Sequence, residues 1–305
     1  MMQRAVFIIL FIASCTPWMN APLALLGGLA ISIFWGNPFL QLTKKYSKLL
    51  LQYSIIGLGF GLNAAVALQV SKDGFLLTLG TILLVFLLGF LFLKVFKIDR
   101  TTSVLISSGT AICGGSAIAA VSPVLNATSD RISIAIGTVF IMNAVALFIF
   151  PAIGTMLDLT QYQFGLWSAI AIHDTSSVIG AAEVYGTEAL HVATTVKLSR
   201  ALWIIPLTLV IALFVRKPSK ISIPYFIVGF IVAAVIATFI PEGKDVYQDI
   251  HKIARQLMVV SLFLIGASIH LQDLKVAGWK SIAYAGSIWV IISALSLLMI
   301  KLFYP

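Results

Sequence analysis

Long apolar stretches separated by short polar turns run along the whole chain of 305 residues. A membrane-spanning helix needs about 20 consecutive apolar residues, and 76–93 carries no charged side chain at all. Helices satisfy their own backbone in lipid, and the stretches lack the alternation of barrel strands. The pattern therefore predicts eleven apolar helical segments, at 4–16, 21–36, 47–70, 74–96, 102–125, 131–157, 162–184, 189–216, 222–240, 251–271 and 275–303.

Composition supports an all-α, polytopic membrane protein. Hydrophobic residues make up 60% of the chain and charged residues 10%, whereas an average soluble domain is about 25% charged. The mean hydropathy of +1.05 excludes an ordinary soluble core as the whole explanation. No long polar linker divides the segments, so we expect one integral membrane domain over 1–305.

Loop charges predict the orientation of the chain in a bacterial inner membrane. Cytoplasmic loops gather Lys and Arg, and alternate segment ends carry Lys44, Lys45, Lys48, Lys94, Lys97, Arg100, Arg216, Lys217, Lys220, Lys275 and Lys280. Glu183, Glu188 and the run PEGKDVYQD fall on the other side. The N-terminus is therefore expected in the cytoplasm and the C-terminus outside. The net charge of +9 needs no nucleic-acid partner.

The N-terminal segment allows two interpretations. Its apolar run ends at Cys15 and resembles a lipoprotein signal with a modified cysteine. A short first transmembrane helix ending at Pro17 is favoured, because more apolar segments follow at once. Cys15 and Cys113 fit neither a disulfide framework nor a metal motif.

The fifth segment is interrupted by GTAICGGSAIAA, residues 109–120. Glycine costs about 1 kcal/mol relative to Ala inside a helix, and Gly109, Gly114 and Gly115 fall close together, with Thr110 and Ser116 beside them. Small residues also let membrane helices pack closely. Both alternatives stand, and a broken helix is the interpretation that we favour.

The seventh segment carries HDTSS, His173 to Ser177, near its middle. An Asp at membrane depth costs on the order of 2.5–3.5 kcal/mol, and Asp and Ser are good helix N-caps. The five residues are expected to end one half-helix and begin the next. The alternative is a short loop between two shorter helices, which have about ten apolar residues each.

Paired discontinuous helices are typical of transporter binding sites near the midplane. A helix N-terminus offers free N–H groups and partial positive charge, so the predicted anion ligands are Thr110, Gly114, Gly115, Ser116, Thr175, Ser176 and Ser177. Unwound carbonyls could instead hold a cation. Asp174 is the expected counter-ion or proton site, and His173 its titrating partner. Asn63, Asn143 and His270 are weaker candidates, better explained by interhelical hydrogen bonds.

Lys197 and Arg200 decide between these ions in favour of an anion if they face inward. They are three residues apart and share a helix face, and an Arg fork suits an oxyanion. The alternative is snorkelling, in which long basic side chains reach the headgroups. A weak similarity between 55–75 and 262–279, each a glycine-containing helix end followed by a turn, is typical of an inverted repeat.

The motifs SGTAICGGSAIAA, VFIMNAVALFIFPAIG, FGLWSAIAIHDTSSVIGAA and ATTVKLSRALWIIPL together resemble the YeiH-like family of bacterial inner-membrane proteins. The usual label of that family is sulfate exporter, and it is otherwise uncharacterised. CGGSAIAA and HDTSSVIGAA are also distantly similar to the crossing helices of bile-acid:sodium symporters, which share a panel-plus-core architecture with sodium/proton antiporters. In those relatives the crossing helices are antiparallel. Here the fifth and seventh segments have the same parity, unless a segment is re-entrant or the crossing is built differently.

Three functions remain open from the sequence. The first is secondary transport of a small inorganic or organic anion, with sulfate export as the leading case and H⁺ or Na⁺ as the coupling ion. The second is cation/proton antiport at Asp174, and the third is a membrane receptor or accessory subunit. No cofactor, metal site or nucleophile–base arrangement of an enzyme is expected. A homodimer is compatible with the sequence.

Overall fold

The computed structural model describes residues 2–19, 21–215, 225–268 and 278–304. These residues contain no strand. Their helices are α1 (Met2–Ser14), α2 (Ala21–Phe34), α3 (Leu40–Gly59), α4 (Ala64–Phe96), α5 (Arg100–Ala111), α6 (Gly115–Val121), α7 (Ser129–Met156), α8 (Gln161–Ala171), α9 (Thr175–Tyr185), α10 (Thr187–Ala201), α11 (Ile204–Val215), α12 (Tyr225–Phe239), α13 (Lys244–Ser268) and α14 (Gly278–Phe303), with a 3₁₀ turn at Pro241–Gly243.

The helices confirm an all-α polytopic membrane protein. Within the described residues, five helical stretches are long and apolar enough to cross a membrane: Ala67–Phe96, Ser129–Met156, Thr187–Val215, Pro241–Ser268 and Gly278–Phe303. Where the structure describes them, the eleven predicted segments coincide with helix, and their residues 216, 222–224, 269–271 and 275–277 lie outside the described residues. One boundary is wrong, because the third segment was expected to continue to 70, whereas α3 ends at Gly59 and α4 begins at Ala64.

The chain divides into two compact units, Met1–Gln69 with Pro224–Leu271, and Val70–Ile223 with Gln272–Pro305. In the first unit α13 packs along α2 and α3, and α12 packs on α3. A β-carbon on Gly28 would lie 2.1 Å from Phe263 O, and one on Gly266 would lie 2.3 Å from Leu25 O. The two glycines therefore let the α2 and α13 backbones approach as only small residues allow.

In the second unit, α5 and α6 form a hairpin beside the first half of α7. Arg131 Nε, near the start of α7, is 3.2 Å from Asp99 Oδ1, just before α5. A β-carbon on Gly115, where α6 begins, would lie 3.8 Å from the Phe140 ring. Phe140 lies about 16 Å along α7 from the start of that helix, at about 1.5 Å per helical residue. Between the start of α6 and the start of α7 the chain must therefore cover this distance in the reverse direction. The α6 arm therefore runs back alongside α5.

A second hairpin, α8 and α9, lies beside the other half of α7. The rings of Phe164 and Tyr185 stack with centroids 3.8 Å apart, and Tyr185 donates a hydrogen bond to Leu159 O at 2.7 Å. The start of α8 and the end of α9 therefore lie together, close to Gly154 at the end of α7. Each arm has 11 residues, about 16 Å, or half the thickness of a bilayer core.

These hairpins answer the question of parity that the sequence left open. The fifth and seventh segments are both interrupted, as expected, but neither continues in its original direction after the break. Two hairpins enter from opposite ends of α7, so the chain between α6 and α7 lies at the α5 end. The order of the basic loops along the chain is compatible with this arrangement.

A third interruption was not predicted. The eighth segment was expected to be one helix, but α10 ends at Ala201 and α11 begins at Ile204. Pro206 has no backbone N–H to donate to the carbonyl four residues before it. The chain forms tight turns there instead, with Trp203 N donating to Arg200 O at 3.0 Å. The break thus follows Arg200 directly.

Candidate functional site

The tips of the two hairpins lie close together beside the middle of α7. Gly114 has φ +62° and ψ −125°, a conformation that side chains with a β-carbon rarely adopt. A β-carbon there would lie 3.4 Å from Val139 Cγ1 and 3.5 Å from Asp174 Cα. The two breaks predicted from the sequence are therefore brought next to each other. Because α7 is long enough to span a membrane, its middle places the contact near the midplane.

Asn143 of α7 anchors the tip of the second hairpin. Its Oδ1 accepts hydrogen bonds from the backbone N–H of His173 at 3.0 Å and of Asp174 at 3.2 Å. Both amides belong to the non-helical turn between α8 and α9, where no helical carbonyl can accept them. Asn143 was expected to make an interhelical hydrogen bond, and this expectation is confirmed.

Asp174 caps the start of α9. Its Oδ2 accepts from Ser176 N at 3.0 Å and from the Ser176 hydroxyl. A carboxylate at a helix N-terminus is favourable because it satisfies free N–H groups and opposes the positive end of the helix dipole. The predicted N-cap is therefore confirmed. Asp174 occupies the position at which the sequence predicted an external anion.

Lys197 and Arg200 cap the C-terminal ends of the half-helices that precede the breaks, α5 and α8. Lys197 Nζ donates to Ala169 O at 3.3 Å and Ile172 O at 2.7 Å. Arg200 Nε donates to Ala111 O at 2.6 Å and its Nη1 to Ile170 O at 2.9 Å. Both side chains are fully buried, which excludes snorkelling to the headgroups.

The indole of Trp289 completes this set of donors. Its Nε1 donates to Ala171 O at 2.9 Å, so Ala169, Ile170, Ala171 and Ile172 all have a donor for their carbonyl oxygens. Sequence reasoning missed Trp289, because an aromatic residue in an apolar segment gives no sign of the carbonyl that it will meet. Lys197 and Arg200 form no salt bridge with any carboxylate in the part of the chain that the structure describes.

Several buried polar atoms around the breaks have no hydrogen-bond partner among the described residues. They are Thr110 Oγ1, Asn143 Nδ2, both ring nitrogens of His173, Thr194 Oγ1 and Arg200 Nη2. Buried polar groups are normally paired, so a group of orphans in one region indicates a place for water or a ligand. The Asn143 and Arg200 nitrogens can only donate, which favours a ligand rich in acceptors.

The predicted site residues separate into two groups by exposure. Thr110, His173, Ser176, Lys197 and Arg200 are buried. Gly115, Asp174, Thr175 and Ser177 are partly exposed and Ser116 is exposed, so the starts of α6 and α9 are accessible. Of the weaker candidates, Asn63 accepts from Ala65 N at the start of α4, and His270 lies outside the described residues.

The chain matches known sequences over nearly its whole length. A family model described as "Conserved hypothetical protein 698" matches residues 8–285. A UPF0324 membrane protein of Bacteroides thetaiotaomicron is 51% identical over 90% of this chain and 84% of its own. A UPF0324 membrane protein of Vibrio parahaemolyticus is 49% identical over 92% of this chain and 93% of its own. A UPF0324 membrane protein of Geobacter sulfurreducens is 44% identical over 99% of this chain and 97% of its own. No solved structure matches.

Proposed function

The chain belongs to the UPF0324 family of membrane proteins, in agreement with its resemblance to the YeiH-like family, and we propose that it is a secondary active transporter of a small anion. Sulfate is the first candidate, with export as the direction that the usual family label implies. The printed names of the relatives state a membrane protein and no substrate.

The observation that carries the proposal is the capping of both half-helix C-termini by buried cations. At each break, the negative end of one half-helix lies beside the positive end of the next, so their fields would largely cancel. Lys197 and Arg200 neutralise the negative ends at Ala111, Ile170 and Ile172. The start of α6 then remains as an uncompensated positive end on the accessible face of the tips, and the start of α9 joins it when the Asp174 carboxylate that caps it is displaced or neutralised.

In this proposal the anion binds where the two helix starts converge. The side chains of Ser116, Thr175 and Ser177 and the amide of Gly115 are its ligands, whereas the predicted ligand Gly114 is buried and its amide already donates to Gly109 O at 2.9 Å. The Asp174 carboxylate competes for the same position, because it already accepts from Ser176 N. Protonation of Asp174 would weaken that competition, because a neutral carboxyl group is a weaker acceptor than a carboxylate. Proton coupling is therefore favoured over sodium coupling.

The hairpins supply a means of alternating access. One enters from the start of α7 and the other from its end, and the site lies between their tips. Movement of one tip away from Gly114 or Asp174 would open the site toward one end of α7 while the other tip stayed closed. Such gating around a fixed midplane site is the general behaviour of secondary transporters.

Flux of labelled sulfate into proteoliposomes, with and without pH and sodium gradients, tests the proposal. We expect proton-dependent sulfate flux that is lost in Lys197→Ala and retained when the exposed Lys72 is changed to Ala. Lys197→Arg keeps the charge and should retain partial flux. Thermal unfolding of each purified variant separates loss of transport from loss of fold.

A cation/proton antiporter using Asp174 gives a different pattern. Sodium or proton exchange would then survive Lys197→Ala, vanish in Asp174→Asn and need no anion. That result would overturn the anion proposal. Absence of all flux for sulfate, sulfite, thiosulfate, sulfonates and carboxylates in a folded protein would also overturn it and favour a receptor or accessory subunit.

A further inference from the structure

A cavity of about 380 Å³ lies between the first part of α4 and the α10–α11 turn. Its lining includes the hydroxyl residues Ser71 and Thr78, the apolar residues Phe75 and Trp203, and Arg200. The lining belongs entirely to the second unit. None of these residues except Arg200 was singled out from the sequence.

Arg200 gives this cavity an ionic wall. Its Nε and Nη1 are occupied by the carbonyls of Ala111 and Ile170, whereas its Nη2 is buried with no partner among the described residues. A guanidinium nitrogen can only donate. A buried cationic donor left unpaired is costly, so the cavity wall calls for an acceptor, and a negatively charged acceptor forms the stronger bond.

The remaining walls are too apolar, and the cavity is too large, for a small inorganic oxyanion. The rings of Phe75 and Trp203 have centroids 5.5 Å apart and are tilted by 41°. A water molecule occupies about 30 Å³, so a sulfate-sized ion would leave most of the cavity to water against these rings. Pockets of this volume in proteins hold organic molecules whose apolar body is oriented by a few polar groups.

We propose that this cavity is a binding site for an organic anion with an apolar body, such as an aromatic sulfonate or carboxylate. The acid group accepts from Arg200 Nη2, and the apolar body contacts Phe75 and Trp203. The hydroxyls of Ser71 and Ser199 line the same cavity but donate elsewhere, Ser199 to Thr195 O at 3.0 Å and Ser71 to Ser199 at 2.7 Å, so the charged donor of the site is Arg200. The site is distinct from the anion position between the starts of α6 and α9.

Binding of 1-naphthalenesulfonate to the full-length protein in lipid nanodiscs, measured by isothermal titration calorimetry, tests the site. We expect saturable binding at one site per chain, weakened at least tenfold by Thr78→Phe, which fills the cavity, and by Trp203→Ala, which removes a wall. Exposed Trp279 lies on α14 outside the cavity lining, so Trp279→Ala is the matched control and should bind normally. Arg200→Lys should weaken binding of the anion, and thermal unfolding shows whether each variant is folded.

Two results would overturn the inference. Equal affinity for the uncharged 1-naphthalenesulfonamide would show that the cavity takes apolar molecules without regard to charge. Binding unaffected by both Thr78→Phe and Trp203→Ala in folded protein would place the anion elsewhere. Sulfate flux is a separate readout: its absence contradicts the proposed transport and leaves this binding site standing.

Discussion

Gly114 and Asp174 face each other across the junction of the two hairpins, with room for about one methyl group between them: a β-carbon added to Gly114 would lie in van der Waals contact with Asp174, 3.5 Å from both its Cα and its Cβ. One residue belongs to the break after α5 and the other to the break after α8. A change at either tip is therefore felt directly by the other.

Replacing Gly114 with Ala should destabilise the protein. The residue has φ +62°, and a β-carbon in such a conformation costs on the order of 1–3 kcal/mol. Thermal unfolding in detergent measures the loss. Gly80, inside α4, has no atom within 4 Å of a built β-carbon, so Gly80→Ala should be neutral or slightly stabilising. An equal response of the two variants would contradict the strain at Gly114.

Two substitutions at Asn143 separate its anchoring role from a role in ligand binding. Asn143→Ala leaves the amides of His173 and Asp174 without an acceptor, at a cost of about 1–3 kcal/mol each when buried. Asn143→Asp keeps an acceptor and removes the unpaired Nδ2 donor. We expect the Ala variant to lose stability. The Asp variant should unfold closer to the wild type, but with weaker anion binding by calorimetry. Equal stability of both variants would exclude the anchoring role.

Removing the charge of Lys197 should loosen the second hairpin. In Lys197→Met the carbonyls of Ala169 and Ile172 lose their donor, which costs about 1–3 kcal/mol. Hydrogen exchange followed by mass spectrometry should show faster exchange in α8 and α9 and little change in α13. The exposed Lys72 supplies the control, since Lys72→Met should leave both regions unchanged. If hydrogen exchange in α8 and α9 is as slow in Lys197→Met as in the wild type, Lys197 does not stabilise the end of α8 by capping its carbonyls.

The hairpin topology predicts which residues share a side of the membrane. Thr128, between α6 and α7, should lie on the same side as Lys97, because α5 and α6 return to the end at which they began. Single cysteines at the two positions, in a chain with Cys15 and Cys113 changed to Ser, should react with a membrane-impermeant maleimide from the same side. A cysteine at Glu188 should react from the other. If Thr128→Cys is instead labelled from the same side as Glu188→Cys, the fifth segment crosses the membrane once and the hairpin topology is wrong.

The breaks could be predicted from sequence because their signals are local. Gly114 stands where a conformation with positive φ is needed, and Asp174 is an N-cap residue directly before Ser176. Both signals depend on neighbours within a few residues, and so does the apolar length of the segments. The missed break after Arg200 had a local signal as well, in Pro206, but proline also occurs within membrane helices.

What each break faces could not be predicted, because it depends on residues far apart in the chain. The sequence by itself determined an all-α membrane protein with two interrupted segments. It left two alternatives for Lys197 and Arg200, which could face inward or reach the headgroups. Tertiary structure decided that each interrupted segment folds back, that the tips meet beside Asn143, and that Lys197 and Arg200 cap carbonyls. The physical reason is that a half-helix leaves its last carbonyls unpaired in a medium without water, and only the packing of α10 and α14 against α8 determines which donors reach them.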